Sequence, residues 1–510
     1  MITRPLQQIL DGYEFELLCG PDNPEISALC YDSRECSPGA LFFCIRGFNV
    51  DGHAFMPEAV ARGASALVVE DYNGDFEGVT VIKVADTRRA MGSLAANFFG
   101  HPADGLHLLG VTGTNGKTSV AFMADALLRS LGKTTGLLGT VVNRIADEEL
   151  KVKRTTPESL DLQALLARMK DRGCSHVSME VSSHAVVLHR IAGCRFNAGI
   201  ITNITQDHLD FHKDFEDYFA AKKAFLMDAV SGDGIKVLNR DDEHYEKTRE
   251  GLPGRVVTYG IESADADVRA TDVAFDATGI AFTVNSAFTP AFRVESGLLG
   301  LFNVYNALAV IAWALAEGIP SENIRNTLRS MPCVPGRFEK IDQGQPFTVI
   351  VDYAHTPDGL VNVLESARRI CGGRLIVVFG AGGDRDRGKR PLMGRAAARL
   401  ADFAIVTSDN PRTEYPYRII EQIVSGVELE LEQKTAPRDF KYLIEEDRYT
   451  AIHAAIGGAR ENDVIVIAGK GHEDYQIFKD RTIHFDDRVV ARKILQERMG
   501  HGAADPGTIG

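Results

Sequence analysis

Short apolar runs rich in branched side chains alternate along this chain with amphipathic segments. ALFFCI (Ala40–Ile45) precedes MPEAVARG (Met56–Gly63) and ALVVE (Ala66–Glu70). HLLGVT (His107–Thr112) precedes SVAFMADALLRSLG (Ser119–Gly132), and LIVVFG (Leu375–Gly380) precedes PLMGRAAARLA and FAIVT, with DVIVIAG (Asp463–Gly469) following later. Strands separated by helices predict parallel sheets with right-handed crossovers, hence an α/β fold. Two loop-like stretches interrupt the pattern, HPADGLH (His101–His107) and MPCVPGR (Met331–Arg337). They divide the chain near 1–104, 105–335 and 336–498, leaving 499–510 as a tail with no core-forming pattern, expected to be flexible.

Composition narrows the class. A length of 510 residues suits about three domains. Hydrophobic residues at 45% and charged residues at 25% match a globular chain rather than a disordered or collagen-like one. The net charge of −14, from 56 basic and 70 acidic residues, argues against a nucleic-acid partner while leaving room for a local anion pocket. The eight cysteines are scattered without a C-x-x-C pair, which predicts reduced, mostly buried thiols. The first residues, MITRPLQQILDGYEFELL, lack the apolar run of a secretion signal. LAVIAWALA (Leu308–Ala316) has about half the length a bilayer crossing needs. These features predict a cytoplasmic protein with no membrane span.

The strongest chemical signal is GVTGTNGKTS (Gly110–Ser119), which follows one predicted strand and opens a helix. Glycines there let backbone N–H groups turn toward phosphate oxygens, and the helix N-terminus adds partial positive charge. Lys117 would reach the terminal phosphates, and the Thr118 hydroxyl would ligate Mg²⁺. Val111 stands where the strict phosphate-loop pattern has its first glycine, but the strand–loop–helix context predicts nucleoside triphosphate binding. Glu180, at the end of CSHVSME, is a suitable hard ligand at a strand's carboxyl edge. Asp207, His208, Asp210 and His212 in NITQDHLDFH look like a metal constellation, yet a polar loop with capping aspartates explains them equally well, and the glutamate of H-E-x-x-H is missing.

These segments, with TTPE (Thr155–Glu158), MEVSSHA, AAKKAF, FNVYNAL, PGRFE, VDYAHTPDGL, GGDRDRGKRP, SDNPRTE and GKGHEDYQ, run in the order of the Mur ligase family, which the chain resembles over nearly its whole length. The resemblance implies a central phosphate-loop sheet flanked by an N-terminal α/β substrate domain and a C-terminal Rossmann-like domain. It also implies an ATP-dependent, ADP-forming amide ligase of peptidoglycan precursor synthesis. A carboxylate takes the γ-phosphoryl group, and an amine then displaces phosphate from the acyl phosphate. ATP would be held by Gly113, Thr114, Asn115, Gly116, Lys117, Thr118 and Ser119, with Asn303, Arg337 and Asp352. The resemblance encloses ATP between the middle and last domains, so that closure gates the chemistry. Lys117, Glu180, His208 and Lys222 would be catalytic, and Mg²⁺ would lie among Thr118, Glu180, His208 and Lys222. For that last role Lys222 would carry an N6-carboxyl group, with Lys223 as the alternative if the match slips by one.

The same resemblance places UDP-MurNAc-L-Ala-D-Glu on Ser33, Arg34, Thr155, Thr156, Ser183 and Arg190. It places the incoming amino acid on Arg390, Asp409, Asn410, Arg412, Gly469 and Glu473. Arg412 beside Asp409 and Asn410 offers both signs of charge, matching the distal ammonium and carboxylate of meso-diaminopimelate. A lysine pocket has no distal carboxylate to hold, and a buried arginine there would be unpaired. Lysine as acceptor, a folylpolyglutamate-synthetase-like ligase and a non-catalytic nucleotide switch are the other readings. The glycines of Gly380–Pro391 do not fit G-x-G-x-x-G, which disfavours a dinucleotide enzyme. A monomer is expected.

Overall fold

A computed structural model describes residues 2–48, 50–208, 211–437 and 439–501. Asp210 and residues 502–510 of the expected tail lie outside the described residues. The chain forms two compact units. One comprises Met1–Ala270, Val284–Phe292 and Tyr305–Thr327, and the other Thr271–Thr283, Arg293–Val304 and Leu328–Gly510.

In the first unit, strands β1 (Glu16–Cys19), β2 (Ala28–Cys30), β3 (Ala40–Phe43), β4 (Ala64–Val69) and β5 (Thr80–Lys83) form a sheet of order β1-β5-β4-β3-β2. Only β1 runs antiparallel to its neighbour. Helix α1 (Thr87–Phe99) follows, started by the Asp86 carboxylate accepting from the Arg89 amide and stopped at Gly100, φ 72°.

A second sheet in this unit carries the phosphate-loop segment. Its strands are β6 (His107–Thr112), β7 (Thr135–Leu138), β8 (Asn143–Ile145), β9 (Glu148–Leu150), β10 (His176–Glu180), β11 (Phe196–Ile201), β12 (Val230–Asn239) and β13 (Arg255–Gly260). They lie in the order β9-β8-β7-β10-β6-β11-β12-β13, with β8 and β9 antiparallel and the others parallel. Leu108, Leu109 and Val111 of β6 are all buried, as a strand covered on both faces requires. Its helices include α2 (Lys117–Ser130), α3 (Ser159–Asp171), α4 (Ser183–Val187) and α5 (Phe215–Ala224). Helix α3 packs on α1, and the Tyr31 hydroxyl donates to Asp161 at 2.7 Å, tying the two sheets together within this unit.

The second unit contains β14 (Glu339–Ile341), β15 (Thr348–Asp352), β16 (Leu375–Phe379), β17 (Phe403–Val406), β18 (Lys441–Ile444) and β19 (Val464–Ala468). Their order is β14-β15-β19-β16-β17-β18, with β14 alone antiparallel. Alternation along the strands divides the core. Leu375, Val377 and Phe379 join Val464 and Val466 under α6 (Pro357–Arg369), α7 (Lys389–Leu400) and α8 (Pro416–Glu432). Ile376, Val378, Ile465 and Ile467 join the opposite cluster under α9 (Arg448–Gly457) and α10 (Asp487–His501). Residues 499–501 thus continue α10 rather than beginning a flexible tail, because Ile494 and Leu495 anchor that helix on the sheet. Among the described residues no helix is long and apolar enough to cross a membrane. All eight cysteines are free thiols.

Helices α7 and α8 meet through glycines. A Cβ on Gly394 would collide with the Ile423 carbonyl, and one on Gly426 with the Pro391 carbonyl. Backbone oxygens cannot move aside as a side chain can. Gly426→Ala should therefore lower stability by roughly 2 kcal/mol, read as a lower urea midpoint at unchanged m-value.

Candidate active site

The chain leaves β6 at Thr112 and enters α2 at Lys117 through a loop that only glycine can serve at both ends. Gly113 has φ 143° and Gly116 φ 85°. A Cβ on Gly113 would collide with the Thr202 hydroxyl, and one on Gly116 with the Asn306 side chain. The segment after β11 clamps the loop. Thr114 N–H donates to the Asn203 carbonyl at 2.8 Å, Asn115 N–H to Asn203 Oδ1 at 2.9 Å, and the Thr114 hydroxyl to the Thr205 carbonyl at 2.9 Å. The Thr114 hydroxyl also meets the Tyr218 hydroxyl at 2.9 Å. Ser119 is buried one turn into α2.

Two lysines converge on this loop. Lys117 Nζ donates to the carbonyls of Gly113 and Thr114, both at 2.8 Å. Lys222 Nζ, from α5, donates to the same Gly113 carbonyl at 2.7 Å and lies 4.6 Å from the Tyr218 ring centroid. Lys222 is 1% exposed. Burial, then the Lys117 charge, hold its amine far below the ordinary lysine value, with Asp207 opposing. Lys223 instead turns to the Lys247 carbonyl at 2.7 Å, so only Lys222 of this pair enters the site.

Glu180 completes the cluster from the end of β10. It is 1% exposed and accepts from the Thr118 hydroxyl at 3.0 Å, the Thr140 amide at 2.7 Å and the Thr140 hydroxyl at 3.1 Å. The TTPE segment lies against the same strand end. The Thr156 hydroxyl donates to the Glu180 carbonyl at 2.9 Å, Thr155 meets Thr140 at 3.1 Å, and Arg190 reaches the Thr156 carbonyl at 3.4 Å and Glu158 at 3.1 Å. Ser33 and Arg34 stand on the N-terminal sheet with local partners, Glu58 at 2.8 Å and Asp32 at 2.6 Å.

The NITQDHLDFH segment departs from the metal-constellation reading. His208 (φ 53°) is partly exposed and its ring centroid lies 4.9 Å from that of His184. His212 faces elsewhere: its Nδ1 is 2.9 Å from Asp217 and its Nε2 3.0 Å from Ser183. Both ring nitrogens are thereby committed to protein partners. Among the described residues no group of three or more His, Cys, Asp or Glu side chains is placed to hold a metal ion.

The remaining candidates belong to the second unit. Arg337 stacks on the Tyr353 ring at 4.7 Å, and Asp352 accepts from the amides of Phe338 and Ala354 at 2.7 and 2.8 Å. Burial raises the Asp352 carboxyl, the Arg337 charge opposing. Asn303 donates to the Leu299 carbonyl at 2.9 Å. After β17, Asn410 Nδ2 donates to Glu473 at 2.8 Å, and its Oδ1 accepts from Ile477 N–H at 2.9 Å. A Cβ on Gly469 would lie 2.5 Å from Asp409 Oδ2, so these loops pack tightly together. Burial raises the Glu473 carboxyl, with Lys470 opposing and Asp409 reinforcing. Arg412 (φ 52°) donates to the Gly383 carbonyl at 2.8 Å.

Arg390 is buried among protein partners. It is 0% exposed, and its terminal nitrogens are engaged by Glu414 at 2.8 and 3.0 Å, Gln422 at 2.7 Å and the Gly382 carbonyl at 3.1 Å. A guanidinium so enclosed holds the loop before α7. Residues that sequence reasoning missed include Thr140, Thr202, Asn203 and Asn306, all polar positions just beyond strand ends or on a neighbouring helix. Asn306 lies one helical turn beyond the named Asn303, which is the signal that could have found it.

Residues 25–99 match the description Mur ligase family, catalytic domain, residues 111–314 the Mur ligase middle domain, and residues 336–471 the Mur ligase, glutamate ligase domain. A Clostridium botulinum protein named UDP-N-acetylmuramoyl-L-alanyl-D-glutamate–2,6-diaminopimelate ligase is 44% identical over 500 residues, covering 96% of this chain and 99% of that protein. A Geobacillus kaustophilus protein of the same name is 47% identical over 483 residues, covering 93% and 96%. A solved structure of that name superposes with a TM-score of 0.68 at 31% identity, covering 98% of this chain and 99% of the other.

The Arg390–Glu414 pair has a pH signature. Hydrogen bonds from Arg390 hold the Glu414 carboxyl at about 2, against an ordinary value of 4.5. A carboxyl depressed on folding adds stability above its unfolded value, and that contribution is lost as pH falls through the folded one. Arg390→Met should cost on the order of 3 kcal/mol at neutral pH. Urea titrations should show its deficit against wild type shrinking as pH falls from 4.5 toward 2.

Proposed function

The chain belongs to the Mur ligase family, and we propose that it adds meso-2,6-diaminopimelate to UDP-N-acetylmuramoyl-L-alanyl-D-glutamate with conversion of ATP to ADP and phosphate, in cytoplasmic peptidoglycan precursor synthesis. The observation that carries this reading is the convergence of Lys117 and Lys222 on the Gly113 carbonyl beside Thr118 and Glu180. It is supported by relatives of that name spanning nearly the whole chain. The three matched segments, 25–99, 111–314 and 336–471, support a division near 1–104, 105–335 and 336–498. We take the protein to act as a monomer.

The residues divide the work by charge. Loop amides from Gly113 to Ser119 and the Lys117 ammonium take the ATP phosphates, with Asn303, Arg337 and Asp352 as further nucleotide contacts. The γ-phosphoryl group passes to the substrate carboxylate. The amine of the incoming amino acid then attacks the acyl carbon, losing a proton, and phosphate leaves. Ser33, Arg34, Thr155, Thr156, Ser183 and Arg190 serve the nucleotide dipeptide. Because Thr156 is bonded to the backbone of Glu180, the carboxylate to be activated is held next to the phosphate site. Arg390, Asp409, Asn410, Arg412, Gly469 and Glu473 serve diaminopimelate, with Arg390 itself fixed by Glu414.

Magnesium fits the donors present. Glu180 is a buried carboxylate that accepts from the neutral donors Thr118 and Thr140, and its oxygens suit a hard cation. Thr118, Glu180, His208 and Lys222 as its carbamate would hold the ion, which when bound neutralises charge on the phosphoryl oxygens. Burial supports the modification, because lowering the amine's pKa favours the free amine that attacks CO₂.

Phosphate release should require ATP, the nucleotide dipeptide and the amino acid together, and diaminopimelate should outcompete L-lysine when products are weighed by mass spectrometry. Preference for lysine would overturn the acceptor assignment. Lys117→Ala should lower kcat roughly 10³-fold. Depleting CO₂ should lower the wild-type rate and bicarbonate should restore it, whereas Lys222→Arg should stay inactive in both buffers.

A further inference from the structure

One polar chain beside the site joins Ser183 to two residues that take no part in the chemistry so far described. Ser183 begins α4, and its Oγ lies 3.0 Å from His212 Nε2. His212 Nδ1 lies 2.9 Å from Asp217 Oδ2 in the first turn of α5. Ser183 and His212 are 1% and 2% exposed. The His212 ring is walled by Phe211 and Tyr218, with centroids at 4.9 and 5.3 Å. Asp217 is itself oriented, since its amide donates to Asp214 at 2.9 Å and its carboxylate also accepts from Lys213 N–H at 3.4 Å.

The direction of this chain follows from its outer end. A carboxylate accepts and does not donate, so the hydrogen between Asp217 and His212 sits on Nδ1. When that is the ring's one hydrogen, Nε2 presents a lone pair and the Ser183 hydroxyl donates to it. That leaves the Ser183 oxygen with lone pairs only, directed away from the ring. A hydroxyl fixed this way discriminates: it takes an N–H group and rejects a second acceptor such as a carboxylate oxygen.

We propose that His212, held by Asp217, is a positioning residue that commits Ser183 to accept a hydrogen bond from an amide N–H of the nucleotide-linked peptide. The proposal rests on the assignment of Ser183 to that substrate. Ser183 lies three positions beyond Glu180, and Ser182 N–H reaches the Thr156 hydroxyl at 3.2 Å, so the residues assigned to this substrate already share one hydrogen-bonded loop. The connectivity is also that of a serine-hydrolase triad. Here its use is orientation, because the ligation already has its leaving group, phosphate, and transfers no acyl group to the protein.

Kinetics of His212→Phe, Asp217→Asn, Ser183→Ala and the double variant His212→Phe/Ser183→Ala test this. His212→Phe and Ser183→Ala should each raise KM for the nucleotide dipeptide roughly tenfold, with KM for ATP and diaminopimelate unchanged and kcat within a few-fold. The double variant should be no worse than either single one, since both remove the same hydrogen bond. His212→Gln, whose side-chain oxygen can accept from Ser183, should recover most of the loss. Asp217→Asn, at a partly exposed position, should raise the same KM less and covers the case in which His212→Phe does not fold. An unchanged dipeptide KM in folded His212→Phe or in Asp217→Asn, multiplying rather than shared losses, or an ester on Ser183 after turnover would overturn the proposal. Absence of ligation by the wild-type protein would instead overturn the proposed function.

Discussion

The carbonyl of Gly113 accepts from two lysine side chains, Lys117 at 2.8 Å and Lys222 at 2.7 Å. Two amines cannot both be charged at one neutral oxygen inside a protein without strong repulsion. One must lose its proton, or anions must arrive. The site answers in both ways: Lys222 is held toward the neutral form, and the loop around Lys117 is built from amides and a helix start that attract phosphate. The preference for a polyanionic guest is thus set before any substrate is bound.

The fold holds this charge in place by making the loop dependent on its neighbours. Gly113 and Gly116 can be nothing larger because Thr202 and Asn306 occupy the space a Cβ would need. Asn203 and Thr205, from the segment after β11, hold the Thr114 and Asn115 backbone and the Thr114 hydroxyl. Glu180 enters from β10 on the other side of β6, and Lys222 from α5. Three consecutive parallel strands therefore end around one point, the carboxyl edge where open α/β sheets place ligands.

In the second unit the same logic uses paired charges. Arg448 is buried, donates to Asp487 at 2.6 and 2.8 Å and to the carbonyls of Ser408 and Ala468 at 3.2 and 3.0 Å, and so joins the loops that carry Asp409 and Gly469. Arg390 does the like for Glu414 and Gly382. Such pairs contribute little net stability against an apolar core, but breaking one is costly, which makes them effective at fixing loop positions.

Much of this was legible in the order of residues. The period of apolar positions determined the α/β class and the β6, β16, β17 and β19 strands, because a strand buried on both faces needs a largely apolar run. The local context of Lys117 and Thr118 determined the strand–loop–helix turn, since loop and helix start are continuous in the chain. What lay beyond was decided by contacts between distant segments. Position 222 comes 109 residues after Gly113 yet meets its carbonyl, and nothing in a Lys-Lys pair tells which amine turns inward. His212 left the metal reading because Ser183 and Asp217 take both its nitrogens, and Arg390 found its partner in Glu414, 24 residues on. A side chain's type is written in the sequence, but the partner that satisfies it is chosen only when the backbone brings the candidates together.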